Sequence, residues 1–529
     1  MELARLLEGL SSPRAYSCAA GQVTVRQTHI SAVFLVGPWA YKIKKPVKLG
    51  FLDFSTLDRR RHFCAEEIRL NARLAPGVYQ GVVPVSMLPS GITMEGEGEV
   101  IEWAVKMKRL PEQATFQAYL ERGELGKEHV RELARRIAAF HAGAEQGEHI
   151  SRLGRFEIVA GNARDNFAQA EPLIGATISR AVFDQLRSCN EAALSRLRGL
   201  IVDRCKRGMP RDTHGDLRLD HVYYFPEIPP PDNLVIIDCI EFNHRFRYAD
   251  PVSDIAFPCM ELLFQRRRDL AREFQLEYFA HTQDPDGRLL LPFYTVYRAA
   301  VRGKVEGLEL LEQEVPLAER QAALARARAH WLMALGELET PGRRPCLVLI
   351  GGLPGTGKST LASELVKRAH LTLIRSDVVR KEIAGVPAGH QARARYEQVL
   401  YAPEWTEKTY SQCLERAERL LFEGRRVVVD ASFSKRKNRA KFLAMAEQLA
   451  IPAILLECEA EPDVVRQRLE QRQQDSSDAD WQIHQQLSKH WEPISPVEAG
   501  SVRTISTAAP TDRVLAKALC QLRELSVLD

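Results

Sequence analysis

The sequence predicts an α+β domain followed by an α/β domain built on a five-stranded parallel sheet. Three observations carry this prediction. Apolar and polar residues alternate between residues 23 and 45 and give way, from about residue 112, to long helical patterns. Glu339-Thr340-Pro341-Gly342-Arg343-Arg344-Pro345 then interrupts the helical run with Pro, Gly and charge, the composition of a linker. From Leu347 onward, short apolar runs alternate with helical segments, the pattern of a parallel sheet covered on both faces. Length alone would allow three or four domains, or two large ones. The patterns favour two: residues 1–338, a linker at 339–345, and residues 346–529.

Bulk properties exclude more than they identify. The net charge of +4 over 529 residues gives no reason to expect nucleic-acid or membrane binding. The ten cysteines are scattered without metal-ligand spacing, which suits a reducing, cytoplasmic setting. The opening residues lack a basic stretch followed by an apolar core, so no signal peptide is expected. No apolar run is long enough to span a bilayer.

In the first domain, residues 1–20 read as a short helix and a turn. Two or three strands follow in VTVRQ, AVFLVG and AYKIKK, and in the last of these Lys42 and Lys44 share one face. Residues 58–74 read as a helix carrying Glu66 and Glu67, and residues 103–107 as a strand. Helical patterns then occupy 127–143, 177–207, 260–282, 292–312 and 316–338. Between them lies Thr213-His214-Gly215-Asp216-Leu217-Arg218-Leu219-Asp220-His221, then a proline-rich turn and a strand at 234–237 that ends at Asp238. A loop aspartate followed by a strand-terminal aspartate suits phosphoryl transfer. One carboxylate accepts the proton of a substrate hydroxyl and the other holds Mg²⁺ against the phosphates.

HGDLRLDHVYYF and IIDCIEF, with Asp250 and Asp254 in YADPVSDIAF, resemble the core of the aminoglycoside phosphotransferase and choline kinase branch of the protein-kinase-like fold, over roughly residues 20–335. The resemblance implies Asp216 as catalytic base, Asp238 as Mg²⁺ ligand and Lys42 as the phosphate-pairing lysine. It also implies Glu67 (or Glu66) as the partner of Lys42, and Asp254 as a carboxylate bracing the catalytic loop. The family places an asparagine metal ligand five residues after the base; His221 stands there instead, and imidazole is a poor ligand for Mg²⁺. The usual glycine-rich loop is replaced by QTHISAV. Two expectations stay open: an active kinase site, with His221 at the second metal position, or a regulatory nucleotide-binding domain.

The second domain opens on LVLIG followed by Gly352-Leu353-Pro354-Gly355-Thr356-Gly357-Lys358-Ser359-Thr360 and a helix. GxxxxGKS between strand and helix is a P-loop, whose backbone N–H groups converge on phosphate. The expected ATP-binding residues are Gly352, Gly355, Thr356, Gly357, Lys358, Ser359 and Thr360, with Ser359 also on Mg²⁺. Arg375-Ser376-Asp377-Val378-Val379-Arg380 places a DxxR after the next strand, similar to zeta-toxin-like, gluconate-kinase-like and polynucleotide-kinase-like enzymes. In that pattern Asp377 is the general base and Arg380 holds an acidic substrate group. A helix N-cap role for Asp377 fits locally as well. Asp430 ends the strand RVVVD as a second metal-side carboxylate, with no glutamate after it as a motor ATPase would need. Arg466, Arg468 and Arg472 precede a polar segment and resemble a lid that closes over phosphates, with Arg468 and Arg472 reaching ATP. Arg436 and Arg439 are weaker candidates for phosphate or substrate contact.

The order of the two domains resembles a bacterial family described as bifunctional aminoglycoside phosphotransferase-like and ATP-binding, a label that names a fold branch and not a substrate. The expected function is an ATP- and Mg²⁺-dependent kinase acting on a hydroxyl of a small molecule. The alternatives are chemistry in the second domain only, or phosphorylation of a nucleic-acid 5′-hydroxyl. The near-neutral charge argues against the latter.

Overall fold

A computed structural model describes residues 3–17, 21–50, 52–310, 316–385, 402–471, 481–496 and 498–524. Its contacts group residues 1–161 with 196–295 into one compact unit, and residues 162–195 with 296–529 into another.

The first unit is organised around a six-stranded antiparallel sheet of β1 (Val23–Gln27), β2 (Ser31–Val36), β3 (Trp39–Lys44), β4 (Tyr79–Leu88), β5 (Gly91–Met94) and β6 (Glu99–Lys108), in the order β1-β2-β3-β6-β4-β5. Alternation sends Phe34, Val36, Tyr41 and Ile43 to one face, where Leu6 and Leu10 of the N-terminal helix cover them. Val33, Leu35 and Ala40 go to the other face, against Cys64 and Ile68 of helix α1 (Leu57–Asn71). Thr56 caps α1 by accepting the Arg59 N–H at 3.3 Å. The first three strands fall where the alternation places them. The strand expected at 103–107 is ten residues long, and β4 and β5 were not foreseen. Pro84 and Gly81 break the apolar pattern of β4, which tolerates them because its register shifts between Tyr79 and Gly81 and between Val85 and Ser86.

The helical part of this unit carries a short hairpin, β7 (Val222–Tyr224) and β8 (Leu234–Ile236), flanked by helix α2 (Pro251–Phe264). Two fully buried arginines fix its frame. Arg204 spans Asp250 (2.7 Å) and Asp284 (2.6 Å), and Arg247 pairs with Asp212. The helix expected at 260–282 is two helices, because the turn at 265–267 places Arg266 at φ 58°.

The second unit holds a five-stranded parallel sheet: β9 (Cys346–Gly351), β10 (Thr372–Arg375), β11 (Arg426–Asp430), β12 (Ala453–Glu459) and β13 (Val502–Ser506), in the order β10-β11-β9-β12-β13. Every residue of β9 and β11 is buried, as parallel strands covered on both faces require. Val348, Ile350, Val428 and Ile454 pack against Leu361 and Leu365 of helix α3 (Lys358–Ala369) and Leu515 of the C-terminal helix. The sheet is the one expected from the sequence. No described helix is long and apolar enough to cross a membrane, and the nine described cysteines are all free thiols.

Candidate functional site

The phosphate loop sits between β9 and α3. Gly352, Gly355 and Gly357 take φ of 133°, 82° and 86°, which side chains strongly disfavour. Space forbids side chains as well. A Cβ on Gly352 would lie 2.4 Å from the Cys458 carbonyl oxygen, and one on Gly355 2.8 Å from Val465. The loop is thus drawn tight against its neighbours, with the N-terminal N–H groups of α3 at its end, the form of an anion cradle. Lys358 Nζ donates to the Leu353 carbonyl at 2.9 Å, folded back over the loop. Ser359 Oγ donates to Asp430 Oδ2 at 2.7 Å. Burial pushes the Asp430 carboxyl above its usual range, against the pull of Lys358 and the Ser359 hydrogen bond. Ser359 and Asp430 form the hard-oxygen pair that Mg²⁺ bridging nucleotide phosphates would take, since that ion keeps few protein ligands. Among the described residues no group of three or more His, Cys, Asp or Glu is arranged to hold a metal by itself.

A cavity of about 810 Å³ joins this cradle to the ends of β10 and β11. Asp377 and Arg380, on helix α4 (Ser376–Ile383), both line it, with Arg380 Nη1 3.3 Å from Asp377 Oδ1. The structure therefore brings Lys358, Ser359, Asp430, Asp377 and Arg380 around one space. Thr360 lines it too, and Thr356 is buried beneath the loop, its hydroxyl on the Leu353 carbonyl at 2.8 Å. Arg468, on helix Pro462–Glu470, lines the cavity and donates to Thr507 O at 2.7 Å. Arg466 instead pairs with Glu470 on the exposed face of that helix. Arg472 and the polar segment after it lie outside the described residues. Arg439 is a correction. It is fully buried, bound to Glu498 at 2.9 Å and to the carbonyls of Phe433 and Glu492, so it braces the loop after β11 and does not line this cavity.

Two contributors were missed. Thr507 Oγ1 lies 2.7 Å from the Thr356 carbonyl and receives Arg468 Nη1 at 3.2 Å. His484 Nδ1 lies 2.8 Å from the Pro354 carbonyl oxygen. His484 belongs to a helix (Trp481–Lys489) inside what the sequence shows as a polar stretch, and Thr507 follows the last strand. Neither carries a motif; only the fold brings them to the loop.

The first unit gathers a second set. Lys42 Nζ lies 3.0 Å from Glu67 and 2.5 Å from Asp238. Lys44 Nζ lies 2.8 Å from the other Glu67 oxygen and also pairs with Glu241. Glu67, and not Glu66, faces the lysines; Glu66 pairs with Arg69 on the surface. The chain Asp238–Lys42–Glu67–Lys44–Glu241 is therefore continuous, and Lys44 and Glu241 extend it beyond the pair expected. Burial opposes charge on Lys44 and on Glu67. Even so, Glu241 and Glu67 hold the Lys44 ammonium above its usual range, and Lys42 and Lys44 hold Glu67 below its own. Asp238 sits at φ 65°.

The loop bearing Asp216 is held from behind. Asp254 accepts the N–H groups of His214 (2.9 Å) and Gly215 (2.8 Å), and His141 Nε2 lies 3.1 Å from it. Burial works against this charge, but the His141 contact and the His214 N–H bring the Asp254 carboxyl down to about 2. His221 Nδ1 donates to the Asp216 carbonyl at 2.9 Å, and its Nε2 is 3.8 Å from both Asp220 and Asp238.

His214 is locked neutral. Its Nε2 donates to Ile237 O at 3.0 Å, and its Nδ1 accepts the Asp216 N–H at 3.3 Å. Burial pushes it down to about 4 from its ordinary 6.5. The unfolded chain binds this proton as pH falls below 6.5, while the folded loop refuses it until about pH 4. The His214 contribution to stability, at most about 3 kcal/mol, is thus lost on acidification through that window. Hydrogen exchange of the 213–222 backbone at pH 7 and pH 4.5 should show this loss, and it should be shallower in His214→Gln.

The family profile described as an AAA domain matches residues 347–494. A solved gluconokinase from Sinorhizobium meliloti 1021 is 19% identical, with a TM-score of 0.27, covering 35% of this chain and 95% of that one. A solved sugar kinase from Janibacter sp. HTCC2649 is also 19% identical with a TM-score of 0.27, covering 35% of this chain and 98% of that one. Over 498 residues, 94% of each partner, the chain is 30% identical to the uncharacterized protein Rv2004c of Mycobacterium tuberculosis H37Rv. It matches Mb2027c of Mycobacterium bovis to the same extent. An alignment that spans both units at this identity makes the chain a member of the family that includes these mycobacterial proteins.

Proposed function

We propose that the chain is an ATP-dependent phosphotransferase that moves the γ-phosphate of ATP to a hydroxyl of a small molecule, with the chemistry in the domain at residues 346–529. One observation carries this: a single cavity holds the phosphate cradle with Lys358, the Ser359–Asp430 pair and, across from them, the Asp377 carboxylate. Lys358 holds transferring phosphate, Asp377 accepts the acceptor's proton, and Arg380 positions the acceptor. Bound Mg²⁺ would supply charge neutralisation between the phosphates, at Ser359 and Asp430. Arg468, which lines the cavity, is proposed to contact the nucleotide phosphates. The near-neutral net charge of +4 fits a small-molecule acceptor over a nucleic acid.

The test is Lys358→Ala. It should weaken ATP binding to this domain by about 10–100-fold, the worth of a charge-assisted hydrogen bond, and abolish labelled phosphate transfer to any small-molecule acceptor. Transfer that persists at the wild-type rate would remove the assignment.

For residues 1–338 we infer a kinase-like nucleotide site with a regulatory role, with Lys42, Glu67, Asp216 and Asp238 as its functional residues. Two observations favour regulation over turnover: Lys42 sits on Asp238 at 2.5 Å, and His221 stands beside that carboxylate in place of a hard oxygen ligand.

A further inference from the structure

The segment leaving β11 lies at the centre of the cavity. The strand order β10-β11-β9 puts the end of β11 between the end of β10, which leads to Asp377, and the phosphate loop after β9. Ser434, Lys435 and Asn438 of this segment line the same cavity as Asp377 and Lys358. Asn438 is 4% exposed, and its side-chain amide makes no hydrogen bond among the described residues. Neither amide atom is among the fully buried polar atoms without a partner, so the amide is open to the cavity, where a polar group of a ligand can take the place of water.

Lys435 gives an independent signal. Its neighbours Lys437 and Lys441 both pair with Glu407, at 3.1 and 2.7 Å. Lys435 lines the cavity and has no ion-pair partner among the described residues. Among the described residues the carboxylates lining the cavity are Asp377 and Asp430, and Asp430 is engaged by Ser359 on the nucleotide side. Among the described residues the acceptor side therefore presents two cations, Arg380 and Lys435, against one carboxylate. A polycationic acceptor would meet repulsion there, and an anionic one attraction.

We propose that Lys435 and Asn438 form the acceptor-recognition subsite, and that the acceptor is a hydroxylated small molecule bearing an anionic group, a carboxylate or a phosphate monoester. The anion lies against Lys435 and Arg380, Asn438 hydrogen-bonds to the acceptor, and a hydroxyl is left facing Asp377. That hydroxyl oxygen bonds to the γ-phosphorus, and its proton passes to Asp377. The bond from the γ-phosphorus to the bridging oxygen breaks, and ADP leaves with the electron pair. The inference names the acceptor class of the phosphotransferase reading and rests on it.

The test uses the full chain carrying Asp216→Ala, with ATP and Mg²⁺ and three probes on one carbon skeleton: sorbitol, gluconate and sorbitol 6-phosphate. Transfer to at least one anionic probe should exceed transfer to sorbitol by about tenfold or more in kcat/KM. Lys435→Ala should raise KM for that probe by about tenfold with little change in kcat, the loss of one charged contact. Asn438→Ala should do the same, and Lys435→Glu should erase the preference. Gluconate over sorbitol 6-phosphate identifies a carboxylate, and the reverse a phosphate monoester. Thermal shift with the same probes and a non-hydrolysable ATP analogue gives a second readout. Transfer to sorbitol as good as to either anion, or a silent Lys435→Ala, overturns the inference and leaves the phosphotransferase reading standing. Anions that stabilise the protein through Lys435 without being phosphorylated leave the subsite standing and remove the phosphotransferase reading. Absence of both effects removes both.

Discussion

Asp377→Asn should lower phosphoryl transfer by about 10²–10⁴-fold, the usual contribution of a positioned general base, and leave ATP affinity unchanged. Asparagine keeps the size of the side chain, a hydrogen-bonding oxygen for the first turn of α4 and a contact for Arg380, but it cannot take a proton. A structural role for Asp377 as a first-turn acid would therefore survive the change, and a chemical role would not. The carboxylate lines the cavity shared with Lys358, is only partly buried, and has Arg380 at 3.3 Å to fix its direction. The comparison to make is single-turnover transfer of labelled phosphate alongside an independent ATP titration. An unchanged rate with intact folding would reduce Asp377 to a helix-end residue.

The second large effect belongs to the first unit. Lys44→Met should destabilise it by about 3–5 kcal/mol, because it strips the cation from between two buried carboxylates. Lys44 and Glu67 are each 1% exposed at the side chain and Glu241 is 6% exposed, so neither carboxylate can turn to water for relief. Lys42 could then satisfy only Glu67. Adding Glu241→Gln to Lys44→Met should return part of the loss, since it removes one orphaned charge. Lys42→Met should cost less stability, because Asp238, at 41% side-chain exposure, can hydrate once freed. Chemical denaturation of the three variants orders these losses. A Lys44→Met variant as stable as Lys42→Met would show that the ladder carries no structural weight.

Legibility followed the range of the interactions. The P-loop, DxxR and Asp430 could be found from the sequence because short segments at the ends of neighbouring parallel strands carry them, and parallel strands deliver such ends to one side of a sheet. Lys42 with Glu67 or Glu66 was expected only through the resemblance to the kinase-like family, and it is the packing of the helix on the strand that selects Glu67. Lys44 was visible on the same strand face as Lys42, but its use depends on Glu241, which arrives from 197 residues away. Thr507 and His484 reach the loop across 151 and 130 residues and leave no local trace. Arg439 misled in the opposite direction. An arginine at a helix start after a strand looks available for phosphate, and only burial shows that Glu498 and four carbonyls already use it.

The support of the phosphate loop also sets where this domain can be cut. The profile match stops at residue 494, yet the loop is gripped from beyond that point, by Thr507 on the Thr356 carbonyl. β13 follows as well, and it supplies the outer neighbour of β12 through pairs from Leu455↔Val502 to Glu459↔Ser506. A fragment trimmed to the profile would leave β12 as an open sheet edge beside an unsupported nucleotide loop, a template for aggregation. The smallest working unit of this half of the chain therefore extends through its last helix, and a recombinant domain cut at the statistical boundary would be misjudged as insoluble or inert.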